Sequence, residues 1–246
     1  NSFKNKDIIQ ANAFTLMFEP TLDNYIKTFT RPPQSVWMAY LNSLVISGTV
    51  TVLVMLLAGM AAFAMVRYRF KGRRLLDSLI VASLMFPVFS TIIPVFQMLS
   101  AIRVVDNPIG VILPQTAGNL AFAIVILMGY IRGLPIDMEE SAFLEGCNVF
   151  QVFYRIIMPV CRPAFATVAI FAFLWSYNDL FTQLFFLRSP QTWAITRFLN
   201  EVSSQFGTDY GMMCAVVTLI VVPVLIVYIF LQKNIVKGLT AGAIKG

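Results

Sequence analysis

Long apolar stretches alternate with short polar ones along most of this 246-residue chain. After a polar N-terminal segment, five stretches each reach or exceed the roughly 20 apolar residues needed to cross the ~30 Å hydrocarbon core of a bilayer. They are Met38–Val66, Leu75–Leu99, Ile109–Ile131, Val160–Leu187 and Gly211–Leu231. The pattern therefore predicts an all-α membrane protein, a polytopic bundle in which only the fourth span carries a charge, Asp179, in its middle.

The composition agrees with this prediction. Hydrophobic residues make up 58% of the chain and charged residues 12%, and the mean hydropathy is +0.77. A soluble domain has about 25% charged residues, so this chain has too few to cover a surface that faces water. It is expected to be an integral membrane protein.

Basic residues are concentrated in alternate loops, which predicts the orientation of the bundle. One group of loops holds Arg67, Arg69, Lys71, Arg73, Arg74, Arg132, Arg155, Arg162, Lys233, Lys237 and Lys245, and the opposite group holds Arg103, Arg188 and Arg197. Since cytoplasmic loops carry the excess of Lys and Arg, the loop 132–162 and the tail 233–246 are predicted to be cytoplasmic. The membrane domain is then 36–232, segment 1–35 is extracytoplasmic, and a further span is expected before Asn1.

The residue types present exclude several chemistries. The chain has three cysteines, without a CxxC pair, and no histidine, which argues against a disulfide framework, a zinc site and hydrolases that use histidine as their base. It has no phosphate-binding loop of the G-x-x-x-x-G-K-[ST] type, so any ATP is expected on another chain. The net charge of +6 follows from the loop asymmetry and requires no nucleic-acid partner.

The polar loop after the third predicted span has the pattern of a short helix followed by a turn. Asp137 is expected to cap the helix, with Glu140 completing a capping box. Gly146 should allow a bend or a left-handed backbone. Pro159 and Pro163 are expected in the first turns of the helices that re-enter the membrane. By periodicity alone, this loop could equally be a capped helix that merely connects two spans.

The spacing within this loop resembles the EAA motif of ABC-importer permeases, which reads E-A-A, three residues, G, nine residues, I-x-L-P. The matching residues are Glu140-Ser141-Ala142, Gly146, Ile156 and Met158-Pro159. Ser141 replaces the first alanine of the pair, and Met158 replaces the leucine. The glutamate, glycine and proline keep their spacing over about twenty residues, which makes the resemblance specific.

The resemblance covers nearly the whole chain and points to the MalG-like carbohydrate-uptake permeases. It includes Asn42-Ser43-Leu44, Arg67-Tyr68-Arg69-Phe70-Lys71-Gly72-Arg73, Phe86-Pro87, Ile93-Pro94 and the tail from Val236 to Gly246. Members of this family usually have six spans, which agrees with a missing N-terminal span. The fold implied is that of a type I ABC importer.

The resemblance implies a non-catalytic subunit of an importer that works by alternating access in the cytoplasmic (inner) membrane. Its partners would be a second homologous permease subunit, two ATPase subunits that hold ATP and Mg, and an extracytoplasmic solute-binding protein. The coupling residues would be Glu140, Ser141, Ala142, Gly146, Ile156 and Pro159. Tail contacts to the ATPase would come from Gly238, Leu239, Thr240 and Gly242. No cofactor is expected on this chain.

A polar set in the fourth predicted span is the candidate substrate path. Trp175, Asn178, Asp179, Thr182 and Gln183 are spaced to share one face of a continuous helix. Because a charge in mid-membrane costs roughly 2.5–3.5 kcal/mol, this face should point into the bundle or a wet cavity, where it could contact a sugar. The alternative is a structural cluster that holds a helix break or contacts the partner subunit.

In the second predicted span, Ser83 and Ser90 are expected to share a face with Pro87 and Pro94 and to line the same path. The prolines there permit a kink.

The function predicted is a permease for a di- or oligosaccharide. A permease for another polar solute, such as a glycerol phosphate, shares the same motifs. An ion-coupled secondary transporter is a weaker alternative, because Asp179 stands alone and no internal repeat is visible. A membrane-embedded enzyme would need a nucleophile and base that are missing, and the specific loop argues against a passive scaffold.

Overall fold

The computed structural model describes residues 1–16, 19–30, 35–205 and 209–243, with side chains up to 229 except at 88, 203–205 and 227. The α-helices are α1 (Lys6–Ala11), α2 (Asp23–Thr30), α3 (Val36–Arg67), α4 (Arg73–Ser83), α5 (Val88–Ala101), α6 (Pro108–Arg132), α7 (Asp137–Leu144), α8 (Val149–Val152), α9 (Met158–Val160), α10 (Arg162–Asn178), α11 (Leu180–Phe186), α12 (Ile195–Gln205) and α13 (Tyr210–Ala243). A π-helical segment, Phe153–Ile157, joins α8 to α9, and a short 3₁₀ turn, Pro190–Thr192, precedes α12.

The centre of the bundle is formed by α3, which packs against α6 and α10, while α13 packs against α10. Both α3 and α6 are long and apolar enough to cross a membrane, as predicted for the first and third spans. A third possible span is the pair Val149–Val160 and Arg162–Asn178, which is bent by 83°. Among the described residues, these are the helices that meet the length and hydropathy expected of a span.

The second predicted span is not one helix. α4 ends at Ser83, and α5 begins at Val88 with Pro87 as its N-cap. Proline has no backbone N–H to donate and disfavours helical geometry in the residue before it, so the helix ends before Pro87. The second proline of this region, Pro94, remains inside α5.

The fourth predicted span is also interrupted. α10 ends at Asn178, and Asp179 has extended backbone angles (φ −72°, ψ 98°) before α11 begins. The Asp179 carboxylate accepts a hydrogen bond from the Thr182 N–H at 3.1 Å. A side chain that caps the following helix competes with continuation of the preceding one, which explains the break.

The helix ends are tied together at the two ends of the bundle. At one end, Arg67 at the end of α3 contacts Glu139 in α7. At the other end, the Asn42 amide near the start of α3 donates to the carbonyl oxygens of Gln191 and Trp193. The basic stretch that follows α3 therefore lies at the same end of the bundle as α7.

Candidate functional site

The predicted loop helix forms, but its cap differs from the prediction. Helix α7 begins at Asp137 with Ile136 at the N-cap position and no side-chain cap. A capping box is present one helix later, where the Asn148 and Gln151 side chains each bond the other's backbone N–H at 2.9 and 2.8 Å. The expected pairing of Asp137 with Glu140 was therefore wrong, because Asp137 already belongs to the first turn.

The two adjacent glutamates of α7 have opposite environments. Glu139 is buried, with 4% of its surface exposed, and its Oε1 lies 2.6 Å from the Nε of Arg67. Glu140 is exposed to solvent. Neighbouring residues on a helix point about 100° apart, so one carboxylate faces the bundle while the other is available to another molecule.

The exposed side of α7 is partly apolar. Besides Glu140, it presents Ser141, Phe143 and Leu144, of which Leu144 is 90% exposed. We call these four residues the docking face. Ala142, one of the coupling residues implied by the resemblance, is 5% exposed and packs into the core of this chain. The small residue that remains accessible is Ser141, whose hydroxyl donates to the carbonyl of Asp137 at 2.8 Å.

Gly146 has the left-handed backbone that the sequence predicted, with φ +86°. A Cβ atom added at this position would meet no atom within 4 Å. Glycine is therefore favoured here by backbone conformation and not by a lack of space. The chain then continues to Ile156, which is half-buried, and to Pro159, which is exposed in the first turn of α9.

The polar set near Asp179 does not share one helical face, because the helix breaks within it. Trp175 and Asn178 are exposed at the end of α10, whereas Thr182 and Gln183 are buried in α11. The Trp175 ring packs edge-on against Phe122, with ring centroids 4.8 Å apart. The prediction of a continuous polar stripe was thus wrong.

Residues of α6, α10 and α12 form hydrogen bonds with this cluster. Gln115 of α6 donates to the Asp179 carboxylate at 2.8 Å and accepts from the Ser176 hydroxyl at 2.6 Å. The Gln183 amide donates to the Ser176 carbonyl at 3.2 Å and accepts from the Thr196 hydroxyl. These contacts match the structural alternative, a polar cluster that holds a helix break. Sequence reasoning missed Gln115 and Thr196, which lie on other helices and carry no motif.

Ser83 and Ser90 do not share a face either, since they lie on α4 and α5. Each is exposed, and each hydroxyl donates to a carbonyl three residues earlier, Ile80 and Pro87, at 2.7 Å. The predicted contacts of the tail with the ATPase fall on Gly238, Leu239, Thr240 and Gly242. These residues lie beyond 229, where side chains are outside the described part of the structure. The backbone there continues helix α13 to Ala243.

At the end of the bundle opposite α7, Asp106 ties two loops together. Its carboxylate accepts from the N–H groups of Arg188 and Ser189 at 2.8 and 2.9 Å and from the hydroxyls of Ser189 and Thr192. Its backbone is left-handed (φ 63°), a conformation that Asp tolerates better than most residues. Sequence reasoning did not identify this residue.

Burial alone would raise the pKa of Asp106, but the hydrogen bonds from Ser189, Thr192 and Arg188 outweigh it and lower the pKa to about 2. The unfolded chain has an Asp pKa of about 3.9. The stabilisation from Asp106 is therefore fully present above about pH 4 and is lost as the pH falls towards 2.

We expect Asp106→Asn to remove this contribution. In detergent, thermal midpoints of the wild type and the variant measured from pH 7 to pH 2.5 should differ most above pH 4 and converge at low pH. A difference between the two proteins that stays constant over this range would contradict the role given to the Asp106 carboxylate.

Within the described residues, no group of three or more Asp, Glu or Cys side chains is arranged to hold a metal ion. Two exposed surfaces are candidates for contact with other molecules. The surfaces are the docking face of α7 and the exposed pair Trp175 and Asn178.

Comparison with known proteins gives matches over most of the chain. The family described as "Binding-protein-dependent transport system inner membrane component" matches residues 54–241. The diacetylchitobiose uptake system permease protein NgcG of Streptomyces coelicolor is 32% identical over 100% of this chain and 81% of its own length. The arabinooligosaccharides transport system permease protein AraQ of Halalkalibacterium halodurans is also 32% identical, over 100% of this chain and 88% of its own.

A solved structure has the same fold. It is a bacterial ABC transporter involved in the import of the acidic polysaccharide alginate, with a TM-score of 0.82 and 20% sequence identity. The similarity covers 94% of this chain and 86% of the transporter chain. It confirms the predicted helical membrane bundle, and the sequence matches confirm the resemblance to permeases of carbohydrate importers.

Proposed function

Since the chain belongs to the family of binding-protein-dependent transport system inner membrane components, we propose that it is the ABC-importer permease subunit for a di- or oligosaccharide. The observation that carries this proposal is similarity along the entire chain to permeases named for diacetylchitobiose and arabinooligosaccharides. Family membership makes the chain a non-catalytic membrane subunit, with ATP hydrolysis on separate subunits. The ion-coupled transporter, the membrane enzyme and the scaffold are no longer retained.

Helix α7 is the proposed contact with an ATPase subunit that binds ATP and Mg. Its docking face combines an exposed carboxylate, Glu140, with the exposed apolar side chains of Phe143 and Leu144. A partly apolar surface with a single charge can complement a cleft on a soluble partner, because apolar burial supplies affinity and the charge fixes orientation. The left-handed backbone of Gly146 lies between α7 and α8 and turns the chain away from this face.

The proposed assembly contains a second homologous permease subunit, two ATPase subunits and an extracytoplasmic solute-binding protein. Loop 132–162 and the tail 233–246 face the cytoplasm in this arrangement, as the distribution of Lys and Arg favours. In the proposed arrangement, segment 1–35 is extracytoplasmic and residues 36–232 form the membrane domain. Tail contacts to the ATPase at Gly238, Leu239, Thr240 and Gly242 are part of the same proposal.

For the solute path, the structure favours the exposed pair Trp175 and Asn178 over the buried residues of the set. Trp175 offers an aromatic surface against which the apolar face of a sugar ring can stack, and the Asn178 amide lies one turn away on the same side of α10. Asp179, Thr182 and Gln183 are proposed to support the path by holding the break between α10 and α11. Exposed Ser83 and Ser90 remain candidate contacts on separate helices.

The test is ATP-driven uptake in proteoliposomes that contain this chain with its permease partner, its ATPase and its binding protein. Labelled diacetylchitobiose, arabinooligosaccharides and glycerol 3-phosphate would be compared at equal concentrations. The proposal predicts that an oligosaccharide stimulates ATP hydrolysis and is transported, while glycerol 3-phosphate is not. Preferential uptake of glycerol 3-phosphate would contradict the carbohydrate assignment and support a permease for a glycerol phosphate.

A further inference from the structure

The contact between Arg67 and Glu139 joins the end of a central helix to the start of α7. The guanidinium Nε lies 2.6 Å from Glu139 Oε1, and the Nη2 donates to the carbonyl of Leu134 at 3.1 Å. The two side chains are only 12% and 5% exposed. One guanidinium thus holds both the carboxylate on α7 and the backbone that leads into it from α6.

This contact differs in kind from an ordinary surface ion pair. An exposed pair is screened by water and salt and contributes little, whereas charges with little water around them interact strongly. The same end of the bundle also has an exposed ion pair, which is expected to contribute little. The Arg132 and Asp77 side chains, which are 53% and 45% exposed, approach only to 4.0 Å.

Within the described residues, one hydrogen bond from a side chain of α7 reaches another helix, and it is the bond between Glu139 and Arg67 at the end of α3. The other α7 side-chain bond, from Ser141 to Asp137, stays within the helix. Helix α3, which ends at Arg67, packs against α6 and α10 at the centre of the bundle. The pair is therefore a direct polar link from α7 to the bundle centre, in addition to the packing of Ala142 into the core.

We infer that Arg67 and Glu139 are positioning residues that transmit movement of α7 to α3. This inference rests on the proposed function of α7 and adds a division of labour between its two glutamates. Glu140 contacts the partner outside the chain, and Glu139 passes the resulting movement to the membrane helices.

The experiment uses the complete importer in proteoliposomes and measures solute transported per ATP hydrolysed. Arg67→Gln and Glu139→Gln should each lower this ratio about tenfold, a typical size for energetic coupling between sites. The ATPase subunits should still co-purify, because the docking face is unchanged. General destabilisation would lower transport and hydrolysis together and leave the ratio as it was, so this readout separates transmission from folding.

The double variant Arg67→Gln/Glu139→Gln gives an independent check. If the two side chains act only through their mutual contact, the double variant should lose no more than either single variant, whereas independent roles would multiply the losses. It also leaves no unpaired buried charge, so it supplies the result if a single variant fails to fold. Arg132→Gln, in the exposed pair, is the matched control and should leave the ratio within about twofold of the wild type.

Two kinds of failure can be told apart. Wild-type ratios in both single variants and the double variant, with Glu140→Lys still abolishing transport, would overturn the transmission role of the pair alone. Normal transport and normal ATPase association in Glu140→Lys would instead overturn the proposed function of α7. Multiplicative losses in the double variant would also contradict the inference.

Discussion

Replacing Glu140 by lysine should reduce ATP-driven transport about a hundredfold, because a reversed charge at a complementary interface costs several kcal/mol and each 1.4 kcal/mol is a factor of ten. Glu140 is exposed on α7, so the substitution should leave the fold of this chain intact. We would measure uptake in proteoliposomes together with retention of the ATPase on an affinity-tagged permease. Both quantities should fall.

The matched control is Glu145→Lys, which makes the same charge change at another exposed position, the C-cap of α7. It lies outside the spacing of the motif and should keep at least half of the wild-type transport. Equal losses in the two variants would mean that any added positive charge on this loop reduces transport, whatever its position. Normal transport in Glu140→Lys would contradict the assignment of the docking face.

Replacing Asp179 by alanine should lower stability by about 2–4 kcal/mol, since it removes a helix cap and leaves the buried amide of Gln115 without its acceptor. The Asp179 carboxylate accepts a hydrogen bond from the Thr182 N–H at 3.1 Å and one from the Gln115 amide at 2.8 Å, and both are lost in the variant. The thermal midpoint in detergent should drop clearly, and uptake should drop as less folded protein remains. We would compare uptake per folded molecule to separate the two effects.

Asn178→Ala provides the comparison, because Asn178 is the adjacent residue and is exposed, and its amide donates to the Leu174 carbonyl of the same helix. It should change the thermal midpoint little but reduce uptake per folded molecule if it contacts the solute. A stable Asp179→Ala protein with wild-type melting would show that the buried cluster does not hold the helix break.

The sequence predicted the local features of the α7 loop well, because they depend on spacing along the chain. Gly146 has the left-handed backbone expected of it, and Pro159 lies in a first helical turn. Wherever a feature depended on which residue caps the helix, the prediction was less exact. The predicted N-cap of α7, Asp137, is the first helical residue, and Ile136 occupies the N-cap position. The capping box forms instead at the start of α8, between Asn148 and Gln151.

Hydropathy identified the apolar segments but could not show where helices break inside them. An apolar run with Pro87 in its middle and one with Asp179 in its middle both read as continuous spans, although each is interrupted in the structure. The Asp179 carboxylate that caps α11 also accepts a hydrogen bond from Gln115, which is 64 residues away in the chain. Periodicity along one segment carries no information about such a partner.

The same reason explains why Arg67–Glu139 and the Asp106 cluster were not anticipated. Sequence analysis placed Arg67 among the basic residues of one group of loops and assigned no role to Glu139. The Lys and Arg distribution predicted that both residues lie at the same end of the bundle, but not that their side chains approach to 2.6 Å, which depends on how α3 and α7 pack in the folded chain. Asp106 likewise gains its role from loop residues more than 80 positions away.

The most direct measurement is site-specific photo-crosslinking from the docking face in the assembled importer. A photoreactive amino acid would replace Leu144, which is 90% exposed on α7, and, as the control, Gln191, which is exposed at the opposite end of the bundle. We predict that position 144 crosslinks to the ATPase subunit, with a yield that changes on addition of ATP, and that position 191 does not. A purified chain whose position 144 captures no ATPase, and which moves solute without ATP, would contradict the account.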